Sequence, residues 1–372
     1  MILKKAEWTL KKLLMKFLGK IIYVKKHKSI SIDQSKKILV IRQHNQLGDM
    51  LCATPFFRAL RERFPDSKID LVSGLVNTQI VKNNPFIDRI IEYNNIEILK
   101  SPSLLFRFFR ELREERYDLA IVPVTVSMSV TSDLLAFFSK AKYRIGAASL
   151  SGKENLTGFL YNYPVDLNWK NDPLKHQTQR NIDIMRDFSL ITTDHSLVIG
   201  LSLDEKSYGE NYFQKQHVKE KIPVGIHPGA GKVKNQWPVE CFGELIDRLM
   251  EIDNCEIFVT EGPMDKIPVD YFRQKYNEKI NYIFEGNVRR VASIIKNLDL
   301  FISNDTGIMH VATAVKTPVL SLFGETDPIQ WAPQGKYDKY ILGKESNIRN
   351  ITVDKVYEAA KKMLKLSSSE AV

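Results

Sequence analysis

The chain has 372 residues, 44% of them hydrophobic, which is enough for two domains with cores of their own and leaves no low-complexity tract to suggest disorder. Its formal net charge is +10, but residues 1–37 hold eleven Lys against Glu7 and Asp33, so nine of those ten charges sit there and the near-neutral body excludes a general nucleic-acid-binding surface. Cys52, Cys241 and Cys255 form no C-x-x-C pair, which excludes a disulfide framework or a zinc pattern and fits a reducing, cytoplasmic setting.

On a helical wheel, residues 1–24 separate into two sides. Ile2, Leu3, Ala6, Leu10, Leu13, Leu14, Phe17 and Ile21 share one side, and Lys4, Lys5, Lys11, Lys12, Lys16 and Lys20 the other. This is the pattern of an amphipathic helix lying on an anionic membrane surface. Lysines interrupt every apolar run well short of the ~20 residues that a bilayer span needs. A signal peptide is not expected either, because no apolar core leads to a small-residue cleavage site. Packing on the chain itself or on a partner is the competing reading. Residues 25–37 follow as a basic linker.

The next stretch reads as βαβ. Lys37 to Arg42 forms a strand, Gln43 to Asp49 a loop, Met50 to Phe64 a helix stopped by Pro65, and Ile69 to Ser73 a second strand. Thr54-Pro55 can restart that helix, with Pro55 at its first position. Such an order implies a parallel sheet with a right-handed crossover. Asp49 then lies at the carboxyl end of the first strand, where such sheets bind ligands, although a carboxylate at a helix start also serves as a plain cap. Arg89–Tyr93 and Asp118–Pro123 read as further strands, and 103–116, 132–140 and 180–190 as helices. Arg58, Arg61 and Arg144, with Lys142, are candidates to bind an anionic acceptor.

A second start follows a polar stretch over Ser202 to Lys221. Pro223 to His227 is a strand, Pro228-Gly-Ala-Gly231 a glycine loop placed to cradle phosphate, and Val239 to Glu251 a helix. Cys255 to Thr260 is the next strand, Asn281 to Phe284 an edge-like strand, and Gly286-Asn287 opens a helix over 288–297. Leu300 to Ser303 is a short apolar strand. Asp305-Thr306-Gly307 is a turn with Asp305 as helix N-cap, Ile308 to Val315 a short helix, and Val319 to Phe323 a strand buried on both faces. A helix N-terminus after a parallel strand is an anion site, Gly307 allows close approach of a phosphate, and His310 adds a donor one turn in. An ordinary capped helix is the alternative. Val353 to Leu366 is a terminal helix.

Three ordered segments carry a family resemblance: Ile38-Leu-Val-Ile-Arg with Leu47-Gly-Asp and Thr54-Pro55; Val224-Gly-Ile-His-Pro-Gly-Ala with Trp237-Pro238; and Asp305-Thr-Gly-x-x-His. Together they resemble glycosyltransferase family nine, the lipopolysaccharide heptosyltransferase-like enzymes. The resemblance implies a GT-B architecture, two Rossmann-like α/β domains facing across a cleft: a basic arm (residues 1–35), an acceptor domain (36–200), a nucleotide-sugar domain (201–345) and a C-terminal helix and tail (346–372). It implies Asp49 as the catalytic base of an inverting transfer. Lys234, Asp265, Asp305, Thr306, Gly307 and His310 are the implied donor ligands, with Lys232 competing for the diphosphate and Glu261 for the ribose. His176 is similar to the family's His that opens the last helix of the first half.

The implied donor is a nucleotide-diphosphate sugar, ADP-heptose first among them, and the implied acceptor a lipid-linked or lipopolysaccharide-type glycan. No Asp-x-Asp occurs in the chain, so neither a metal nor another cofactor is expected. The expected location is the cytoplasm, with residues 1–30 on the inner face of the membrane. Two other functions stay open: the same fold with another nucleotide sugar, and a non-catalytic nucleotide-sugar-binding assembly protein. A dehydrogenase lacks its glycine fingerprint.

Overall fold

The computed structural model describes residues 15, 17–216, 221–263 and 265–369. Most of the expected amphipathic helix lies outside the described residues; residues 17–21, its described end, are helical. Among the described residues no helix is long and apolar enough to cross a membrane.

The chain divides into two compact units. One comprises residues up to 45 with 53–78 and 84–195; the other comprises 46–52, 79–83 and 196 onward. The sheet of the first unit is built from β1 (Lys37–Arg42), β2 (Lys68–Ser73), β3 (Arg89–Glu92), β4 (Leu119–Ile121) and β5 (Tyr143–Leu150), in the order β3-β2-β1-β4-β5. The short β6 (Lys153–Glu154) returns antiparallel to β5, and β7 (Tyr163–Leu167) pairs parallel to it. Lys-Ile-Leu-Val-Ile-Arg forms the central strand β1 because both its faces are covered, so five of its six residues are buried.

The second unit holds β8 (Ile222–His227), β9 (Cys255–Thr260), β10 (Asn281–Ile283), β11 (Leu300–Asn304), β12 (Val319–Phe323) and β13 (Lys339–Leu342), ordered β10-β9-β8-β11-β12-β13. All five pairings are parallel. Both orders are those of a Rossmann-like half, with a switch point where the first strand meets the fourth. Val319-Leu-Ser-Leu-Phe is buried at every position, its apolar run broken only by Ser321, whose hydroxyl donates to the Lys339 carbonyl at 3.1 Å.

Two short pieces from the first half of the sequence belong to the second unit, whereas the sequence reading keeps 36–200 together. Arg289 explains one of them. Its almost fully buried guanidinium donates to the backbone carbonyls of Gln79 (2.8 Å), Lys82 (3.1 Å) and Gly200 (2.5 Å) and grips both oxygens of Glu205 at 2.5 and 2.7 Å. Glu205 also closes a capping box with Ser202 at the start of the helix Leu203–Lys215. Hydrogen bonding from Arg289, the largest cause, drives the Glu205 carboxyl down to about 2 against the opposing effect of burial. The folded value lies below the ordinary 4.5, so this pair stabilises fully above that value and loses its contribution as pH falls through about 2. Glu205→Gln is expected to flatten the acid limb of the stability curve over that window, measured by urea unfolding at stepped pH.

Candidate functional site

The second unit holds Asp49 and the candidate donor residues. Its strand order switches between β8 and β11, and open parallel sheets bind ligands beyond the carboxyl ends of strands at such a point. Pro228 to Gly231 follows β8 there, and Asp305-Thr306 follows β11.

Asn304, the last residue of β11, organises both. It is fully buried. Its Oδ1 accepts from the Trp237 backbone N–H at 3.1 Å, and its Nδ2 donates to the Pro228 carbonyl at 2.8 Å and the Gly229 carbonyl at 3.3 Å. One side chain thus ties the glycine loop and the Trp-Pro turn to the strand that presents Asp305. Trp237 is anchored at its other end, where its indole Nε1 donates to the Ile351 carbonyl at 2.9 Å and its ring meets Phe242 edge-on at 4.8 Å.

Asp305 does not cap the following helix, contrary to the sequence reading. Thr306 is the N-cap of Gly307–Ala314, in extended backbone and with no side-chain cap hydrogen bond. The Asp305 carboxylate instead accepts from Asn235 Nδ2 at 2.8 Å, and the same amide reaches Thr326 Oγ1 at 3.2 Å. These side-chain donors come from loops that the sheet brings together. Burial pushes the Asp305 carboxyl up, opposed by a hydrogen bond with Thr326 and by the Lys232 ammonium. A helix start without a side-chain cap keeps its leading N–H groups for an anion. The two competing lysines take different carboxylates: Lys232 acts on Asp305, and Lys234 forms an ion pair with Glu325.

The helix Leu47–Leu51, with Asp49 half-buried in its first turn, lies against Gly307–Ala314 within this unit. Glycines make the approach possible. A Cβ on Gly48 would fall 2.9 Å from the His310 Cδ2, and one on Gly307 would fall 3.2 Å from the Leu47 Cβ. Each motif's glycine is therefore the clearance for the other motif. This is a second reason for Gly307, besides the phosphate approach read from the sequence. His310 is buried, with Cys52 Sγ 4.0 Å from its Nδ1 and the Trp331 ring 6.4 Å from its centroid.

A family model described as glycosyltransferase family 9 (heptosyltransferase) matches residues 105–360, over two thirds of the chain. The chain belongs to glycosyltransferase family 9. This family 9 glycosyltransferase is 27% identical over 311 residues to lipopolysaccharide heptosyltransferase 3 of Escherichia coli K12, a match covering 77% of this chain and 82% of that one. It is 26% identical over 310 residues to lipopolysaccharide heptosyltransferase 2 of the same strain, covering 78% and 84%. Among solved structures it is similar to a family 9 glycosyl transferase from Veillonella parvula, with a TM-score of 0.79 at 21% identity over 91% of this chain and 100% of that one. The E. coli ADP-heptose lipopolysaccharide heptosyltransferase II gives a TM-score of 0.74 at 23% identity, covering 89% and 99%. These likenesses show the GT-B fold that the motifs imply.

The remaining site residues read from the sequence have partners inside the fold of this family 9 glycosyltransferase. Asp265 is buried; its Oδ2 accepts the Gly262 N–H at 2.9 Å and lies 3.6 Å from His227 Nε2. Its Oδ1 also presses on the glycine loop, since a Cβ on Gly229 would fall 1.8 Å away. Glu261 pairs with Arg273. In the first unit, the three candidate arginines do not converge. Arg58 is buried against the Phe86 ring and donates to the Asp194 carbonyl at 2.5 Å. Arg61 ties the end of its own helix to the Pro65 and Ser67 carbonyls, at 3.0 and 2.7 Å, and to Asp88 at 2.5 Å. Arg144 donates to the Leu160 and Ala141 carbonyls at 3.1 and 2.9 Å. Main-chain carbonyls thus hold groups that the sequence reading offers to an acceptor. His176 opens the helix Gln177–Ile182, its Nδ1 accepting from the Thr178 N–H at 3.2 Å.

Sequence reasoning missed Asn235, Asn304 and Thr326. For Asn304 the available signal was an amide standing between an apolar strand and a turn, where only a buried polar partner justifies it; Asn235 and Thr326 lie in loops whose partners the local pattern does not mark.

Proposed function

We propose that this glycosyltransferase moves heptose from ADP-heptose to a lipopolysaccharide-type acceptor, with inversion and without a metal ion. The observation that carries the reading is the interlock of the Leu47-Gly-Asp helix with the Asp305-Thr-Gly-x-x-His helix. It sets the helix that carries Asp49 against the helix that starts at Gly307, whose start without a side-chain cap suits a diphosphate. The curated relatives named for heptosyltransfer support the sugar and the acceptor class.

In this reading Asp49 takes the proton of the acceptor hydroxyl. The hydroxyl oxygen attacks the anomeric carbon from the side opposite the diphosphate, and the anomeric C–O bond to the diphosphate breaks. Negative charge builds on the leaving ADP, where the first N–H groups of Gly307–Ala314 and the ammoniums of Lys232 and Lys234 offset it. A helix terminus in such a partly buried setting contributes up to ~2 kcal/mol. Lys234 exchanges Glu325 for the diphosphate. Access to a lipid-linked acceptor is the task we assign to residues 1–30, on the cytoplasmic face of the membrane.

The test is thermal unfolding with ADP, GDP, UDP and CDP, each with magnesium and in excess chelator. At a hundredfold excess over its dissociation constant, a ligand of the folded state adds ~2.7 kcal/mol of stability. A shift with ADP alone, unchanged by chelator, is expected. A shift with GDP or UDP alone points to another donor. No shift with any of the four would sink the donor site.

A further inference from the structure

We propose that a basic cleft at the root of the amino-terminal arm binds the phosphate of an anionic lipid headgroup. The inference rests on the reading that this enzyme works at a membrane surface, and it adds a discrete site to that reading. The cleft encloses about 300 Å³ within the first unit, and Tyr23, Lys25, His27, Lys140, Arg144 and Asn162 contribute to its walls.

Its charge is uncompensated. Among the described residues, neither Lys25, Lys140 nor Arg144 in its walls, nor the neighbouring Lys26 and Lys142, has a carboxylate within ion-pair distance. Lys140 and Lys142 rest instead on the rings of Phe137 and Tyr143, each at 5.1 Å. Arg144 lies over Phe137 at 5.7 Å and is held by its two carbonyl partners through Nε and Nη1, so Nη2 is left over. Lys26 folds onto the carbonyls of Gly158 (3.3 Å), Phe159 (3.0 Å) and Tyr161, which ties the root of the arm to the wall of the cleft. Burial, and then the nearby Arg144 charge, push the Lys26 ammonium down, and burial pushes Arg144 down. Cations held together in this way, with no counter-charge, gain from an anion that takes several charge-assisted hydrogen bonds. A phosphate does this with its spread of oxygens, and a fixed guanidinium is the residue type best matched to it.

The chain that enters the cleft makes a lipid the source of the phosphate. Phe17 and Ile21 are each 61% exposed and Tyr23 is 88% exposed. Exposed apolar side chains alternating with Lys20, Lys25 and Lys28 suit the headgroup level of a bilayer, where rings sit beside lipid phosphates.

The experiment uses the full chain and vesicles of phosphatidylcholine with and without phosphatidylglycerol. Binding to the anionic vesicles is measured by co-sedimentation for the unchanged protein, for Lys25→Glu/Lys140→Glu, and for the control Lys20→Glu/Lys28→Glu, which makes the same charge change outside the cleft. An unchanged ADP-induced thermal shift verifies that each variant is folded. The cleft variant is expected to lose at least about tenfold more partitioning than the control, which loses only the diffuse attraction of its two lysines. Equal losses in both would overturn the cleft in favour of diffuse attraction, leaving the membrane reading intact. No binding of the unchanged protein to anionic vesicles would overturn the membrane reading itself. Stabilisation by inorganic phosphate that Lys25→Glu/Lys140→Glu abolishes, with vesicle binding unaffected, would assign the cleft to a soluble phosphate and overturn the lipid assignment.

Discussion

Asp49→Asn is expected to abolish sugar transfer while leaving the ADP-induced thermal shift in place. The substitution keeps size and most hydrogen-bonding capacity, and it removes the one property the mechanism asks of this group, the ability to accept a proton. General-base assistance is worth roughly 10²–10⁴-fold, so turnover should fall by that factor with donor affinity nearly unchanged. The geometry makes the test clean. Asp49 occupies the first turn of a short helix, and what holds that helix in place is its neighbour Gly48 against His310, together with the buried Met50 and Leu51. Near-normal turnover in steady-state assays would remove Asp49 from the base role. A parallel loss of ADP binding would mean that the carboxylate shapes the donor site rather than the chemistry.

Asn304→Ala is expected to cost about 2–4 kcal/mol of stability and to weaken ADP binding at least tenfold. The truncated amide leaves the Trp237 N–H and the carbonyls of Pro228 and Gly229 without their partner in a region closed to water. It also empties a fully buried volume. The binding loss has a separate cause. Asn304 joins the glycine loop after β8 to the turn after β11 from a fully buried position, so without it the loop and the lysines beyond it are held less firmly. Urea unfolding reports the stability and calorimetric titration the affinity. A variant that is destabilised yet binds ADP normally would show that the loop is positioned by other contacts, with Asp265 against Gly229 the first candidate.

The two halves of the fold were legible because parallel strands buried on both faces write themselves as near-continuous apolar runs. Lys37–Arg42, Ile222–His227, Leu300–Asn304 and Val319–Phe323 all follow that rule. The strands β7 and β13 were not read, since Tyr163–Leu167 and Lys339–Leu342 are short, partly exposed edge segments whose apolar content is ordinary for a loop. The family motifs also stood in the sequence, with Asp49 and the Asp305-Thr-Gly-x-x-His stretch among them.

What the sequence by itself determined is therefore the βαβ order of each half, the family, and the residue types able to act as base and phosphate ligands. These depend on local pattern: the burial of a strand, the punctuation of a turn, the spacing of a motif. Only the tertiary structure decided what each polar side chain does. It gave Asp305 to Asn235 rather than to its own helix, and Lys234 to Glu325. It bound Arg58, Arg61 and Arg144 to main-chain carbonyls, and it set Gly48 against His310 across more than two hundred residues of chain. Partners of this kind are chosen by proximity in the folded sheet, and a buried polar group takes whichever partner the fold brings within reach.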